Sequence, residues 1–271
     1  MAQSSANLNK LGQPERVVAL DGTINFRDLG GYRNKKGQTT QWRRIYRAAS
    51  LGNLTVSDRI LLADLDIIND IDLRSPSEQQ SYPDQSWDSV HFISNPLYPT
   101  TGFNRMLNNH HVRKIFRRRR EIPKLDNPIA NIYQNVLMTK HSQQGFAQTF
   151  AVLLGMSSEQ ASVFHCAAGK DRTGMTAALI LLALNVPDET IIQDYLLTNE
   201  LYDYANDHQA PTNDVVQQAV DQMNTQVGEA LYIQGVLATI NDGFGGMTNY
   251  WREALGLSIG DLKQFRKMFL Q

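Results

Sequence analysis

The single cysteine of this chain lies in a decapeptide whose residue types suit phosphate chemistry. Residues 165–174 read HCAAGKDRTG. A short apolar run precedes the decapeptide and a run of helix formers follows it at 175–184, which predicts a strand, a loop and a helix in succession. Backbone N–H groups and the positive end of a helix dipole converge at such a junction, so it can bind an anion such as phosphate.

Cys166 and Arg172 could act together on one phosphoryl group. A helix N-terminus and a nearby cation favour the thiolate, which is the nucleophilic form of cysteine. The planar guanidinium of Arg172 can hold two phosphoryl oxygens at once. A buried structural cysteine is the alternative, but the charged run 170–172 is poor core material. A Walker-type nucleotide site is excluded, because Asp171 stands where that motif needs serine or threonine.

Composition and charge limit the classes of protein to consider. The chain has 271 residues, 42% of them hydrophobic and 20% charged, which suits one large globular domain. The net charge of -1 argues against a nucleic-acid binder. One cysteine allows neither an internal disulfide nor a cysteine-rich zinc site. We expect a cytoplasmic protein, because residues 1–10 lack the apolar core of a signal peptide and no 18-residue apolar run follows.

One local segment departs from this balance. Residues 105–124 carry eight basic side chains and one acidic side chain. Such a run is commonly a solvated helix face, and the alternative is a contact with substrate or with an anionic membrane. Residues 1–13 are polar and are expected to be flexible.

Alternating strand and helix patterns predict an α/β fold. Strand-like runs occur at 17–20, 24–26, 44–47, 67–73, 90–93 and 163–166, and helical patterns at 57–65 and 129–154. The pattern predicts a mostly parallel central sheet with helices on both faces and an all-helical part over 187–271. Ligands of such sheets bind beyond the carboxyl ends of the strands, where Cys166 falls.

The decapeptide resembles the Cys-x5-Arg signature of the cysteine-dependent protein tyrosine phosphatase superfamily. Its GKDRTG ending is similar to the atypical bacterial branch of that superfamily. Further segments resemble the same branch in the same order: NFRDLGGY at 25–32, YRAASL at 46–51, DLRSPSE at 72–78 and YWREALGL at 250–257. The resemblance implies a single phosphatase domain over 14–271. In that branch an insertion can cover the site, which makes residues 100–126 a candidate lid.

The resemblance also implies a role for each residue of the loop. Cleavage of a phosphate monoester needs a nucleophile, neutralisation of the phosphoryl oxygens and a proton for the leaving group. Cys166 would attack and form a phosphocysteine, and Arg172 would bind the oxygens with the loop residues Ala167, Ala168, Gly169, Lys170 and Thr173. His165, Asp72 and Arg27 would support the loop. No metal or other cofactor is needed.

The proton donor is less clear from the residues than the nucleophile. The atypical branch carries an aspartate inside the phosphate loop, and Asp171 stands there in this chain. Asp171 is therefore our preferred general acid, with Asp72 and Asp84 as rivals. Asp72 could instead pair with Arg74 or Arg27, and the spacing of Arg74 and Glu78 predicts a structural ion pair.

The implied substrate is phosphotyrosine, with phosphoserine, phosphothreonine and phosphoinositides as further candidates. Lys170, placed at the rim of the loop, could meet a second phosphate of an inositol ring. A phosphoinositide phosphatase is therefore the alternative function, and a non-catalytic phosphate-binding module is another. Such a module would typically have lost Cys166. A rhodanese or an arsenate reductase would not normally combine this loop with the segments at 25–32 and 72–78. The oligomeric state cannot be inferred.

Overall fold

The computed structural model of the protein describes residues 16–99, 125–201, 223–224 and 226–271. The predicted flexible segment 1–13, the basic segment 105–124 and all but the last two residues of the candidate lid lie outside the described residues. No helix within the described ranges is long and apolar enough to span a bilayer.

Five strands and ten α-helices are described. The strands are β1 (Arg27–Asp28), β2 (Ile45–Ala48), β3 (Ile67–Asp72), β4 (His91–Ser94) and β5 (Ala161–His165). The helices are α1 (Val56–Asp64), α2 (Pro76–Ser81), α3 (Pro128–Met138), α4 (Lys140–Leu154), α5 (Asp171–Ala183), α6 (Asp188–Leu196), α7 (Thr198–Leu201), α8 (Ala230–Ala238), α9 (Met247–Glu253) and α10 (Ile259–Phe269). A π-helical turn, Thr239–Gly243, follows α8.

The strands form one mixed sheet in the order β1-β2-β5-β3-β4. All neighbours pair in parallel except β1, which pairs antiparallel with β2 at one edge. His165, the last residue of the central strand β5, is level with Ala48 of β2 and Asp72 of β3. The predicted α/β class and parallel centre are confirmed, and the three central strands end together at one edge.

Alternating side chains divide the core between the two faces of the sheet. Ile45 and Phe164 belong to a large core that contains residues of α3 to α6 and of α8 to α10. Tyr46 and Val163 point the other way and pack in a smaller core with Leu62 of α1. Successive strand residues face opposite sides, so helices cover both faces as predicted.

Three predicted elements differ from the structure. The helix expected over 129–154 divides at Thr139, whose ψ of 129° is extended and ends α3 before α4 begins. The Thr139 hydroxyl donates to the Asn135 carbonyl four residues back, a contact that competes with continued helix. The strands expected at 17–20 and 24–26 are wrong: Val17 forms one isolated bridge, and Asn25 has a φ of 60°, which interrupts extended backbone.

The Asp58 carboxylate caps the start of α1 and also binds the loop before β1. Thr55 and Asp58 form a capping box. The Asp58 carboxylate also accepts hydrogen bonds from the backbone N–H groups of Asp21, at 2.9 Å, and Gly22, at 2.8 Å. Burial raises the pKa of Asp58, but the hydrogen bonds from Thr55, Asp21 and Gly22 outweigh that effect. They hold the pKa of Asp58 below its usual value. The loop before β1 is therefore tied to helix α1.

Candidate functional site

The predicted strand, loop and helix follow one another at the decapeptide. β5 ends at His165, α5 begins at Asp171, and residues 166–170 connect them. Cys166 is fully buried at the carboxyl end of β5, and it carries no disulfide. Gly169 has a φ of +64°, and a Cβ on it would lie 2.5 Å from the Ala48 carbonyl oxygen. Only glycine fits at this point of the loop.

Side chains and backbone from outside the loop bind its carbonyl oxygens. Ser50 N donates to the Ala167 carbonyl at 3.0 Å. Asn25 Nδ2 donates to the carbonyls of Ala168, at 3.2 Å, and Gly169, at 3.0 Å. A trans peptide unit points its N–H away from its C=O, so fixing these carbonyls turns the following N–H groups toward the opposite side. That arrangement is an anion-binding nest.

Glu78 of α2 orients the Arg172 guanidinium. Arg172 Nη1 and Nη2 donate to the two Glu78 carboxylate oxygens at 2.6 and 2.8 Å. Burial raises the pKa of Glu78, but the attraction to Arg172 outweighs it and holds that pKa at about 2. Burial likewise lowers the pKa of Arg172, and attraction to Glu78 and then to Cys166 raises it well above its usual value. Arg172 and Glu78 are therefore both charged and form a buried ion pair.

The predicted ion pair between Arg74 and Glu78 is wrong. Arg74 instead contacts Asp72 and Asp84, with Nη2 2.7 Å from a carboxylate oxygen of each. The reason is the start of α2 at Pro76: Arg74 precedes the helix and cannot share its face with Glu78. Of the two partners proposed for Asp72, Arg74 is confirmed and Arg27 is not.

His165 lies in a buried cage of carboxylates directly before the nucleophile. Its Nε2 is 3.1 Å from Asp70 Oδ1 and 3.2 Å from Asp84 Oδ2. Burial lowers the pKa of His165, but Asp72, Asp84 and Asp70 together raise it well above its usual value. The carboxylates therefore favour the protonated form of the imidazole. Asp70 was not predicted; the available signal was an acid at the centre of the predicted strand 67–73.

The same cage could be considered as a metal site. The ligand atoms of Asp70, Asp84 and His165 lie within 4.8 Å of one another. Arg74 already contacts Asp84, and the His165 ring lies between Asp70 and Asp84, so each of these three groups has a partner within the cage. These contacts do not call for a metal ion.

Lys170 does not lie at the rim of the loop, where the sequence had placed it. It is fully buried, and its Nζ donates to the backbone carbonyls of Met223, at 2.6 Å, Asn224, at 3.3 Å, and Gln226. Carbonyl oxygens satisfy the three donors of an ammonium group. Lys170 thus ties Met223, Asn224 and Gln226 to the loop instead of presenting a charge to a second phosphate.

Asp171, the first residue of α5, has one anchored and one unbonded carboxylate oxygen. The Tyr133 hydroxyl donates to Oδ1, and it also lies 3.1 Å from the Tyr195 hydroxyl. Oδ2 accepts no hydrogen bond from the described residues, although Lys170 Nζ is 3.6 Å away. The carboxyl group is held in place with one oxygen available for a proton.

A second buried network of ion pairs and hydrogen bonds holds the loop at the Gly169 carbonyl. Asp194 of α6 accepts from Arg27 Nε at 3.2 Å and from Arg47 Nη1 at 2.6 Å, and Arg47 Nη2 donates to the Gly169 carbonyl at 2.8 Å. Burial opposes ionisation, but Arg27 and Arg47 lower the pKa of Asp194 far below its usual value. Sequence reasoning named Arg27 but missed Arg47 and Asp194. The sequence signal for Asp194 was an acidic residue on the same helix face as Ile191 and Tyr195, which are both buried.

Comparison with known proteins gives consistent results. The model of the tyrosine phosphatase family matches residues 18–271. A tyrosine-protein phosphatase from Nostoc commune is 29% identical over 234 residues, which cover 81% of this chain and 72% of that protein. The triple specificity protein phosphatase PtpB from Mycobacterium tuberculosis is 26% identical over 284 residues, covering 94% of this chain and 99% of that protein.

A solved structure gives a weaker similarity. The crystal structure of P. aeruginosa TpbA aligns with a TM-score of 0.34 at 11% identity, over 73% of this chain and 89% of that chain. The fold described above rests on the strand order and the two cores of this chain.

Proposed function

This chain belongs to the tyrosine phosphatase family, and we propose that it hydrolyses phosphotyrosine in proteins through a phosphocysteine formed on Cys166. The observation that carries the proposal is the loop itself. Its carbonyls are bound from outside, its N–H groups turn inward, and it joins Cys166 to Arg172 at a helix N-terminus.

The reaction would proceed in two displacements. Cys166 Sγ attacks phosphorus, the bond from phosphorus to the tyrosyl oxygen breaks, and that oxygen takes a proton from Asp171. Water then attacks the phosphocysteine, gives a proton back to Asp171 and releases inorganic phosphate and the Cys166 thiolate. The two steps balance as phosphate ester plus water giving alcohol and phosphate.

Arg172 can stabilise the transferred group without leaving Glu78. A guanidinium has five N–H donors, and the two bonds to Glu78 leave three of them. Nε is buried and donates to no acceptor among the described residues. Glu78 therefore fixes the plane of the guanidinium while the remaining donors can bind equatorial phosphoryl oxygens.

We assign the proton donor to Asp171 and not to its rivals Asp72 and Asp84. Both rivals are buried and contact Arg74, and Asp84 also lies against His165. Attraction to His165 and Arg74 lowers the pKa of Asp84 although burial raises it, which disfavours the protonated form. Asp171 Oδ2 accepts no hydrogen bond from the described residues, and its contact with Lys170 Nζ, at 3.6 Å, is longer than the contacts of Asp84 with Arg74, at 2.7 Å, and His165, at 3.2 Å.

Asp171→Asn is expected to slow poor leaving groups more than good ones. An alkyl oxygen needs a proton as its bond to phosphorus breaks, whereas a nitrophenolate does not, so the kcat ratio between p-nitrophenyl phosphate and an alkyl phosphate should rise at least about ten-fold. Asp84→Asn serves as the matched control and should leave that ratio unchanged. The assignment moves to Asp84 if only the control shows the effect.

The proposed function itself is tested with metal-free enzyme. Purified protein in EDTA should release inorganic phosphate from a phosphotyrosine peptide and from p-nitrophenyl phosphate at the same rate as without chelator. Loss of activity in EDTA, with recovery on adding a divalent cation, would contradict the thiolate mechanism. It would instead favour a metal ion bound by Asp70, Asp84 and His165.

Phosphoserine, phosphothreonine and phosphoinositides are substrates of second rank in this proposal. The similarity to a phosphatase named for triple specificity supports a range wider than phosphotyrosine. The reason for including phosphoinositides was Lys170, and its ammonium group is bound by backbone carbonyls. Lys170 therefore offers no free charge to an inositol ring that carries several phosphates.

A further inference from the structure

A cavity of about 360 Å³ opens beside the phosphate loop. We call it the flanking pocket; its lining residues include Ile24, Ser50, Asn53, Tyr82, Asp21 and Ala167. Ala167 is the one residue of the decapeptide 165–174 that keeps part of its surface exposed. When the loop holds the phosphate, the rest of the substrate therefore lies at this pocket.

The walls of the flanking pocket are fixed before any ligand binds. Asp58 holds the backbone of Asp21 and Gly22, and Ala49 N donates to the Ile24 carbonyl at 3.1 Å. On the other side the Tyr82 ring packs against Gly52, where an added Cβ would lie 2.4 Å from Tyr82 Cδ1. Such a preformed site loses little conformational entropy on binding.

The side chains of the pocket suit a polypeptide. Ile24 and Tyr82 are 42% and 43% exposed and offer apolar surface beside polar side chains. Thr23, Ser50 and Asn53 supply groups that can hydrogen-bond to a peptide backbone. The volume lies at the low end of the roughly 300–1,000 Å³ of small ligand sites, which is enough for a side chain and the backbone next to it.

The charge of the pocket distinguishes between possible substrates. Asp21 is the one charged side chain among its lining residues, and no lysine or arginine from the described segments joins it. A second phosphate placed here would meet a carboxylate and no cation. A lysine or arginine side chain would instead gain an attractive interaction with Asp21.

We propose that the flanking pocket receives a residue next to the phosphotyrosine of a protein substrate and favours a basic side chain over an acidic one. This inference rests on the proposed function of the loop. The pocket would discriminate between substrates by the residue next to the phosphotyrosine, which the loop cannot do because it binds only the phosphate.

The test uses two phosphotyrosine peptides that differ only in the residues on either side of the phosphotyrosine, lysine in one and glutamate in the other. Wild-type protein should show a kcat/KM about five-fold higher for the lysine peptide, the effect of one partly exposed charge pair. Asp21→Asn should abolish the preference, and Asp21→Lys should reverse it. Asp88→Lys, which changes an exposed acid outside the pocket, is the matched control and should keep it.

Three results would overturn the inference while leaving the proposed function intact. One is equal kcat/KM for both peptides in the wild type, and another is an unchanged ratio in both Asp21 variants. The third is faster hydrolysis of a phosphoinositide with several ring phosphates, presented in neutral lipid vesicles, than of the lysine peptide. If neither peptide nor p-nitrophenyl phosphate is hydrolysed, the proposed function fails and this inference with it.

Discussion

Cys166→Ser is expected to reduce hydrolysis of a phosphotyrosine peptide by at least about a thousand-fold, because the hydroxyl lacks the nucleophilicity of the thiolate. The change removes no packing volume of note, so the thermal midpoint should stay within a few degrees of the wild type. Steady-state turnover and a melting curve followed by circular dichroism measure the two effects.

Binding separates loss of the nucleophile from loss of the site. Cys166→Ser should still bind a phosphotyrosine peptide, since Arg172 and the loop N–H groups are unchanged, and isothermal titration can measure this. Turnover above one per cent of the wild type would show that another group attacks phosphorus. Loss of both turnover and binding would instead mean that the loop needs the sulfur for its shape.

Asp194→Asn is expected to destabilise the protein by about 3 kcal/mol or more, since it removes the carboxylate between two buried cations. Arg27 and Arg47 have fully buried side chains, and their nearest carboxylate is Asp194. Because Arg47 also holds the Gly169 carbonyl, kcat should fall together with stability. Urea denaturation and steady-state kinetics at a temperature where the variant is folded measure both.

The control for this variant lies on the same helix. Asp188 pairs with Lys35 at the surface, where their side chains are 31% and 52% exposed. Asp188→Asn should cost no more than about 1 kcal/mol and leave kcat unchanged. If Asp194→Asn lowers stability but keeps both kcat and KM, the network supports the fold and does not position the loop.

Sequence reasoning located the features that depend on neighbours along the chain. The decapeptide, the strand before it and the helix after it are encoded in one continuous stretch, and their arrangement is confirmed. Thr55 and Asp58, which form the capping box of α1, are likewise only three positions apart. In each case the residues that interact lie within a few positions of one another.

The partners of the site were harder to predict because they come from distant segments. Glu78 lies 94 residues before Arg172, and its pairing depends on where α2 starts. Lys170 was placed at the rim of the loop, and only the carbonyls of Met223, Asn224 and Gln226 show why it is buried. Asp194 reaches Arg47 from 147 residues away. Spacing along the chain contains no signal for such contacts.

The central position of β5 and α5 has a consequence for how related chains can diverge. β5 has a parallel neighbour on each side, and all 13 residues of α5 are buried. The chemistry is therefore attached to the part of the molecule least tolerant of substitution. Residues 21–24 and 82–84 lie outside it, on loops. Descendants of one ancestor can thus exchange these loops and acquire new substrates while the reaction stays the same.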